Sequence, residues 1–438
     1  MSGEAIGALL LTTLIVTIFI GFPISFTLLV LAVAFGYWGM GGIVFDLMVF
    51  QSIGMMKEEV LAAVPLFIFM GYLLEQSGLM ERLFRAFQFI LAPLRGSLYL
   101  GVILTATIFA MATGIVGAAV TVLGIMAAPI MMKARYDVRL SAGAIAAGGT
   151  LGILIPPSVM LVVMGPVLGV SVVQLYAAAI IPGFMLAGLY IAYCLVRSHI
   201  DPSLGPPLPM EDRAPSVLHM AREFVLGMVP LGSLIFATLG SILAGLATPT
   251  EAAAVGATGA IVLTVVYREM TYARFRDAVY KTLATSSMVL FLAVASNIFG
   301  AVFARLGTAT LITNTLLALP FPPSVMLVII MALIFLLGWP FEWPAIILVF
   351  LPIFLPLVQA LKIDMVFFGV LVAVNLQTAF LSPPVAMSAY YLKSVAPRWE
   401  LKTIYAGMFQ FMVLQVVALI ALLVFPEIAL WLPHRLFR

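Results

Sequence analysis

The sequence predicts an all-α polytopic membrane protein made of two inverted repeats, with about ten full spans, two re-entrant helical hairpins and two broken helices. Three observations carry that expectation. The 438 residues are 64% hydrophobic and 9% charged, against about a quarter charged in soluble domains, and apolar runs longer than the roughly 20 residues of a spanning helix recur along the whole chain. Prolines and aspartates recur at nearly constant spacing in the two halves. Two consecutive-proline pairs at equivalent places in the two halves fall inside apolar stretches, where a helix cannot continue. Backbone groups in lipid need internal partners, and the ten-residue alternation of a barrel strand does not occur.

The first apolar stretch, from Ala5 to Ile20, follows only Glu4 and has neither a basic start nor a small-residue cleavage site, so it reads as a retained span. Arg82 to Arg95 places basic residues on an aromatic and aliphatic strip. It suits a helix in the interface plane, bracing a moving part, or an ordinary connector. The polar, proline-rich segment from Val196 to Glu223 separates the halves, giving a first repeat over 1–196, a linker over 197–223 and a second repeat over 224–438. Pro23 and Pro249 lie 226 positions apart; Pro129 and Pro356, Asp137 and Asp364, and the pairs Pro156-Pro157 and Pro383-Pro384 lie 227 apart. Several matches in one order mark an internal repeat.

With the N-terminus outside, sixteen basic residues fall on the cytoplasmic side: Arg82, Arg85, Arg95, Lys133, Arg135, Arg139, Arg197, Arg213, Arg222, Arg268, Arg274, Arg276, Lys281, Lys393, Arg398 and Lys402. Five fall outside: Lys57, Arg305, Lys362, Arg435 and Arg438. That asymmetry follows the positive-inside rule.

The hairpins are expected over 98–132 and 323–358. Phe109 to Thr121, with Thr113-Gly114 and Gly117, lies between basic flanks at Arg95 and Lys133, a distance too long for one span and too short in turn for two. Its counterpart is Leu337-Gly338-Trp339-Pro340-Phe341-Glu342-Trp343-Pro344. The broken helices are expected over 138–170 and 365–393. In Gly148-Gly149-Thr150-Leu151-Gly152-Ile153-Leu154-Ile155-Pro156-Pro157-Ser158 the prolines leave the carbonyls of Gly152 and Ile153 without a helical donor; in Asn375 to Pro384 they free those of Ala379 and Phe380. Carbonyls at the end of a half-helix suit cations, and amides at the start of the next suit anions. Thr150, Ser158, Asn375, Gln377 and Thr378 add uncharged groups suited to a carboxylate or hydroxyl. A kink without a ligand is the alternative. Four helix ends would then surround one central cavity.

Among the acids, Glu342 either holds a cation, relays a proton, or caps the half-helix starting near Pro344. Thr248-Pro249-Thr250-Glu251 is a capping box with proline at the first helical position, so Glu251 reads as structural. Glu75 and Gln76 read as interfacial. One cysteine and three scattered histidines argue against a disulfide or a transition-metal site. No phosphate-binding loop for ATP occurs, so uphill work must draw on a gradient. No His-Glu-x-x-His motif occurs and neither hairpin tip pairs serine with histidine, which argues against an intramembrane enzyme.

These residues together resemble the large membrane subunit of tripartite ATP-independent periplasmic (TRAP) transporters, through Gly21-Phe22-Pro23, the run from Gly149 to Ser158, the run from Thr248 to Val255, and Ser382-Pro383-Pro384-Val385. The resemblance implies a non-enzymatic secondary transporter of the bacterial inner membrane with an elevator mechanism. It implies sodium as coupling ion and no organic cofactor. Its partners would be a small four-helix membrane subunit and a periplasmic binding protein that hands over an organic acid, with no nucleic acid. By matching motif, Gly152, Ile155 and Pro156 look like contributors to one sodium site, and Ala379 and Ser382, with Gly338, to a second. Thr113 and Gly114 stand where many members have a serine-rich tip, and Thr113 is the one hydroxyl carried over; the Thr113 to Gly117 version is similar to a branch associated with larger or 2-oxo acids. A self-sufficient sodium or proton symporter for dicarboxylates, needing no binding protein, is the competing reading.

Overall fold

The computed structural model describes residues 2–209, 216–383 and 386–437. Arg213 and Arg438 of the charge tally, and Pro384 and Val385 of the second break, lie outside them. The described residues form an all-helical chain. Its first repeat comprises α1 (Gly3–Ile20), α2 (Ile24–Met40), α3 (Ile43–Met56), α4 (Ala63–Glu75), α5 (Leu79–Leu91), α6 (Ser97–Thr113), α7 (Val116–Lys133), α8 (Val138–Thr150), α9 (Val159–Leu168) and α10 (Val172–Ile200). The second comprises α11 (Val217–Leu243), α12 (Pro249–Val266), α13 (Tyr272–Arg305), α14 (Thr308–Leu317), α15 (Pro323–Leu337), α16 (Trp343–Ala360), α17 (Met365–Ala379), α18 (Met387–Val395), α19 (Leu401–Val424) and α20 (Glu427–Leu436).

Local chemistry sets the boundaries. Gly21 ends α1 in the left-handed region, at φ 104°, and Pro23 precedes α2. The repeat-equivalent aspartates do the same job twice: Asp137 accepts from the Leu140 amide at 2.7 Å and Asp364 from the Phe367 amide at 2.8 Å, each capping the first half of a broken helix. Thr248 and Glu251 form the expected reciprocal box at the start of α12.

Two groups of helices form, and they meet where α4 packs on α6 and α9 and where α13 packs on α16. α4 lies against α12 and α13, with α2 and α3 also on α13. In the other group α8 lies against α19, α7 against α18, and α10 against α17 and α20. The α8–α19 contact depends on glycines, since a Cβ on Gly407 would fall 2.0 Å from the Arg139 carbonyl oxygen. The α3–α4 segment and α13 are the third units of their repeats, and they pair antiparallel: Gln51 with Asn297, Tyr72 with Thr285, Gln76 with Asp277. The copies are therefore inverted. The third unit of the first repeat is interrupted after Met56 and resumes through a short 3-10 turn, Glu59–Ala62, so it is two helices where its partner is one of 34 residues.

Helix α5 runs at 58° to the segment before it and packs between α11 and α6. Its apolar side is buried through Leu79, Met80, Leu83 and Phe84, while Arg82 lies over the Tyr267 ring. The start of the linker is strapped to the second helix group by three backbone bonds: Gly96 donates to Gly205, Asp137 to Leu204 and Leu208 to Ala92.

Candidate functional site

Both hairpins and both broken helices converge. Helices α6 and α7 turn at Gly114, held at φ 62°, a left-handed conformation that glycine adopts without strain. A Cβ there would lie 3.6 Å from the Val159 amide nitrogen and 3.7 Å from the Gly152 carbonyl oxygen, so the first tip abuts the first break. On Gly338, at the end of α15, a Cβ would lie 2.9 Å from that of Ala379, so the second tip abuts the second break. Thr113-Gly114 is thus brought to Gly152, and Gly338 to Ala379.

Between the tips lies a cavity of about 490 Å³, within the ordinary range for small-molecule sites. Its lining includes the first turns of four helices: Val116 to Ala118 of α7, Val159 of α9, Trp343 and Pro344 of α16, and Met387 of α18. The other wall comes from the first helix group, with Ile68, Tyr72 and Glu75 of α4 and Lys281, Thr285, Met288 and Val289 of α13. Tyr72 and Thr285 join their hydroxyls at 3.0 Å, and Lys281 pairs with Asp277 at 2.9 Å.

Glu342 also lines the cavity. It occupies the N-cap position of α16, as one of its sequence readings held, yet its side chain makes no capping hydrogen bond. The prolines on either side already shape the turn, and its carboxylate faces the cavity instead. Glu75 sits in the cavity wall, not merely at an interface, because α4 turns that face toward the hairpins.

Of the residues singled out from sequence for the sodium and substrate sites, Gly114 lines the cavity and the others are not among its lining residues. Thr113 donates to the Phe109 carbonyl and Thr150 to that of Ala147. Ser158 caps α9 and gives its hydroxyl to the freed Ile153 carbonyl at 2.5 Å. Pro156 and Pro157 are joined by a cis peptide bond, and Ile155 packs on Gly183 of α10. In the second break Thr378 donates to the Asn375 carbonyl, and Asn375 donates to Met331 of α15 at 2.7 Å. The Asn375 Oδ1, both polar atoms of Gln377 and the Ser382 hydroxyl are buried without a hydrogen-bond partner among the described residues. Among those residues no group of three or more His, Cys, Asp or Glu is placed to hold a metal. Beside the carboxylates of Glu75 and Glu342 in the cavity wall, the oxygens at the two breaks are those of carbonyls, amides and hydroxyls, donors of the type that hard cations take.

Sequence reasoning missed Tyr72, Lys281, Thr285 and Tyr391 of the lining. Their positions on otherwise helical surfaces carry no local signal.

A cavity lined by interrupted helices from two inverted copies of a membrane-embedded helical chain is the arrangement of a membrane transporter. The family model for the tripartite ATP-independent periplasmic transporter, DctM component, matches residues 11–428, and the chain belongs to that family as a large membrane subunit. It is 30% identical over 423 residues to the sialic acid TRAP transporter large permease protein of Vibrio cholerae, covering 95% of this chain and 96% of the relative. It is 29% identical over 382 residues to the 2,3-diketo-L-gulonate TRAP transporter large permease protein of Escherichia coli, covering 86% and 87%. In fold it is similar to the YdaH transporter of Alcanivorax borkumensis, solved by crystallography and described as having an unusual topology, with a TM-score of 0.63 at 18% identity over 88% of each chain. Members of the family are secondary transporters of organic acids that work with a binding protein.

Proposed function

We propose that this chain imports an organic acid across the bacterial inner membrane by sodium-coupled elevator transport, with a small four-helix subunit and a periplasmic binding protein that delivers the acid. The observation that carries this is the arrangement of helix ends: four N-termini line one cavity, while the C-terminal ends of their partner half-helices lie just behind it. Amide-rich, positive ends favour an anion and carbonyl-rich ends favour a cation. Anion and cation held side by side neutralise each other, which lowers the cost of carrying both through a low-dielectric layer.

The seam between the helix groups supports the elevator. One end of it holds the cavity at Glu75 and Lys281. A separate crevice of about 470 Å³ lies along the same seam between Gln51, Asn297, Pro166 and Leu348. The group carrying both tips would slide along α4 and α13 to exchange one opening for the other. By the distribution of basic residues, the Lys281 end faces the cytoplasm. Each inward sodium contributes about 2.3 kcal/mol per 100 mV of inside-negative potential, plus about 1.4 kcal/mol per tenfold gradient. Gly152, Ile155, Pro156, Thr113 and Gly114 form one proposed sodium site and Gly338, Ala379 and Ser382 the other.

The test is reconstitution with the small subunit and candidate binding proteins, scanning sialic acid, 2,3-diketo-L-gulonate, succinate and isethionate with and without a sodium gradient. Uptake of one acid that stops on sodium removal is expected. Uptake indifferent to sodium would refute the coupling, and uptake by this chain alone would favour the self-sufficient symporter.

A further inference from the structure

The cavity belongs to two bodies, and its charge is unevenly divided between them. Lys281 is the one cationic side chain in its described lining, and it stands on α13, in the helix group that holds no hairpin. Its side chain is 47% exposed. One of its three donors is taken by Asp277 at 2.9 Å, an oxygen that Gln76 also contacts at 3.0 Å, which leaves two donors for another acceptor. The ammonium lies 5.8 Å from the Tyr72 ring centroid, with Glu75 as a further electrostatic neighbour in the same wall. Asp277 and Gln76, neither of them in the cavity lining, thus hold the lysine in place.

We propose that Lys281 is a state-specific anion contact: it takes the carboxylate or sulfonate of the transported acid only when the hairpin tips face the Tyr72–Lys281 wall, and loses it when they move away. The inference rests on the transport reading above and adds a residue to it. The helix N-termini travel with the acid and hold it in every state, whereas α13 stays behind. A contact of this kind strengthens binding from one side of the membrane only. It makes the two faces of the transporter unequal in affinity, and Glu75 beside it limits that affinity so that the acid is still released.

The experiment uses the full chain with its small subunit in proteoliposomes. The probes are labelled sialic acid, 2,3-diketo-L-gulonate, succinate and isethionate. Half-saturation is measured from each side, by binding-protein-driven uptake from outside and by exchange from the Lys281 side. Lys281→Gln is expected to raise the half-saturation on the Lys281 side by about ten- to a hundredfold, the scale of one hydrogen bond to a charged group, and to leave the other side within about threefold. Lys281→Arg keeps the cation and restores most of the affinity. Arg276→Gln removes a positive charge from an exposed position on the same helix outside the cavity lining, and stays near the unsubstituted protein. An equal change on both faces, no change on either, or a loss reproduced by Arg276→Gln overturns the assignment while transport itself stands. Failure of the unsubstituted protein to move any of the four acids overturns the transport reading and this one with it.

Discussion

Gly71 of α4 offers the most direct test of whether the two helix groups move past each other. A Cβ at that position would lie 2.6 Å from the carbonyl oxygen of Thr113, 3.1 Å from its Cα and 3.2 Å from its carbonyl carbon. All three atoms are backbone of the first hairpin tip, so no side chain can rotate away; the tip or α4 must shift. Forcing a methyl group into packed backbone costs about 1–3 kcal/mol. Replacing a helical glycine by alanine also gains about 0.5–1 kcal/mol of helix propensity, but α4 is a helix in every position of the tip, so that gain cancels between states. Only the contact with Thr113 differs. Gly71→Ala therefore depopulates the state seen here by about 1–3 kcal/mol, a factor of about 5–150. The assay is the labelling rate of Ala118→Cys, in the cavity lining, by an impermeant thiol reagent applied from the Lys281 side, with the buried Cys194 as the only other thiol. The equilibrium between the states should shift by that factor, so the rate should fall in Gly71→Ala in proportion to the population lost. An unchanged rate, in a protein that melts normally, would refute both the close approach and the sliding seam.

The other predictions concern parts that do not move against each other. Pro156→Ala combined with Pro157→Ala lets the helix regain donors for Gly152 and Ile153, and should weaken the sodium dependence of uptake; unaltered sodium activation would remove the first cation site. Gly407→Ala brings a Cβ to 2.0 Å from the Arg139 carbonyl within one helix group, so it should lower the melting temperature, at a cost of about 1–3 kcal/mol, without changing the accessibility ratio measured for Gly71. Thr248→Ala removes the capping box and should cost about 1 kcal/mol, read as a lower melting temperature. Glu342→Gln, at an N-cap whose carboxylate makes no capping bond, should leave that temperature nearly unchanged, and a drop like that of Thr248→Ala would restore the capping role.

Much of the architecture is legible residue by residue because its signals are local. Consecutive prolines deny hydrogen bonds wherever they stand, so the breaks at Pro156-Pro157 and Pro383 follow from covalent structure. Asp137, Asp364 and Thr248 cap helices through partners three residues away, and the structure keeps each of those bonds. The interruption after Met56 was not legible: Lys57, Glu58 and Glu59 form a polar patch without proline or glycine breakers of their own. The composition of the cavity wall was equally hidden. Glu75 looks like an interfacial acid and Lys281 like one more cytoplasmic positive charge, since hydropathy records where a residue sits along a helix and not which way it faces.

The sequence alone determined that this is a membrane-embedded, twice-repeated helical chain with two hairpins and two interrupted helices, and its motifs pointed to the TRAP family. Those properties follow from hydrophobic length, proline placement and repeat spacing, each carried by neighbouring residues. Only the tertiary structure decided that Gly114 meets Gly152, that Gly338 meets Ala379, and that Tyr72, Glu75, Lys281, Thr285 and Glu342 share one cavity. The physical reason is that these pairings join segments far apart in the chain. They are fixed by how closely glycine lets two backbones approach and by the rotation of each helix about its own axis, and neither quantity is written in any single stretch of residues.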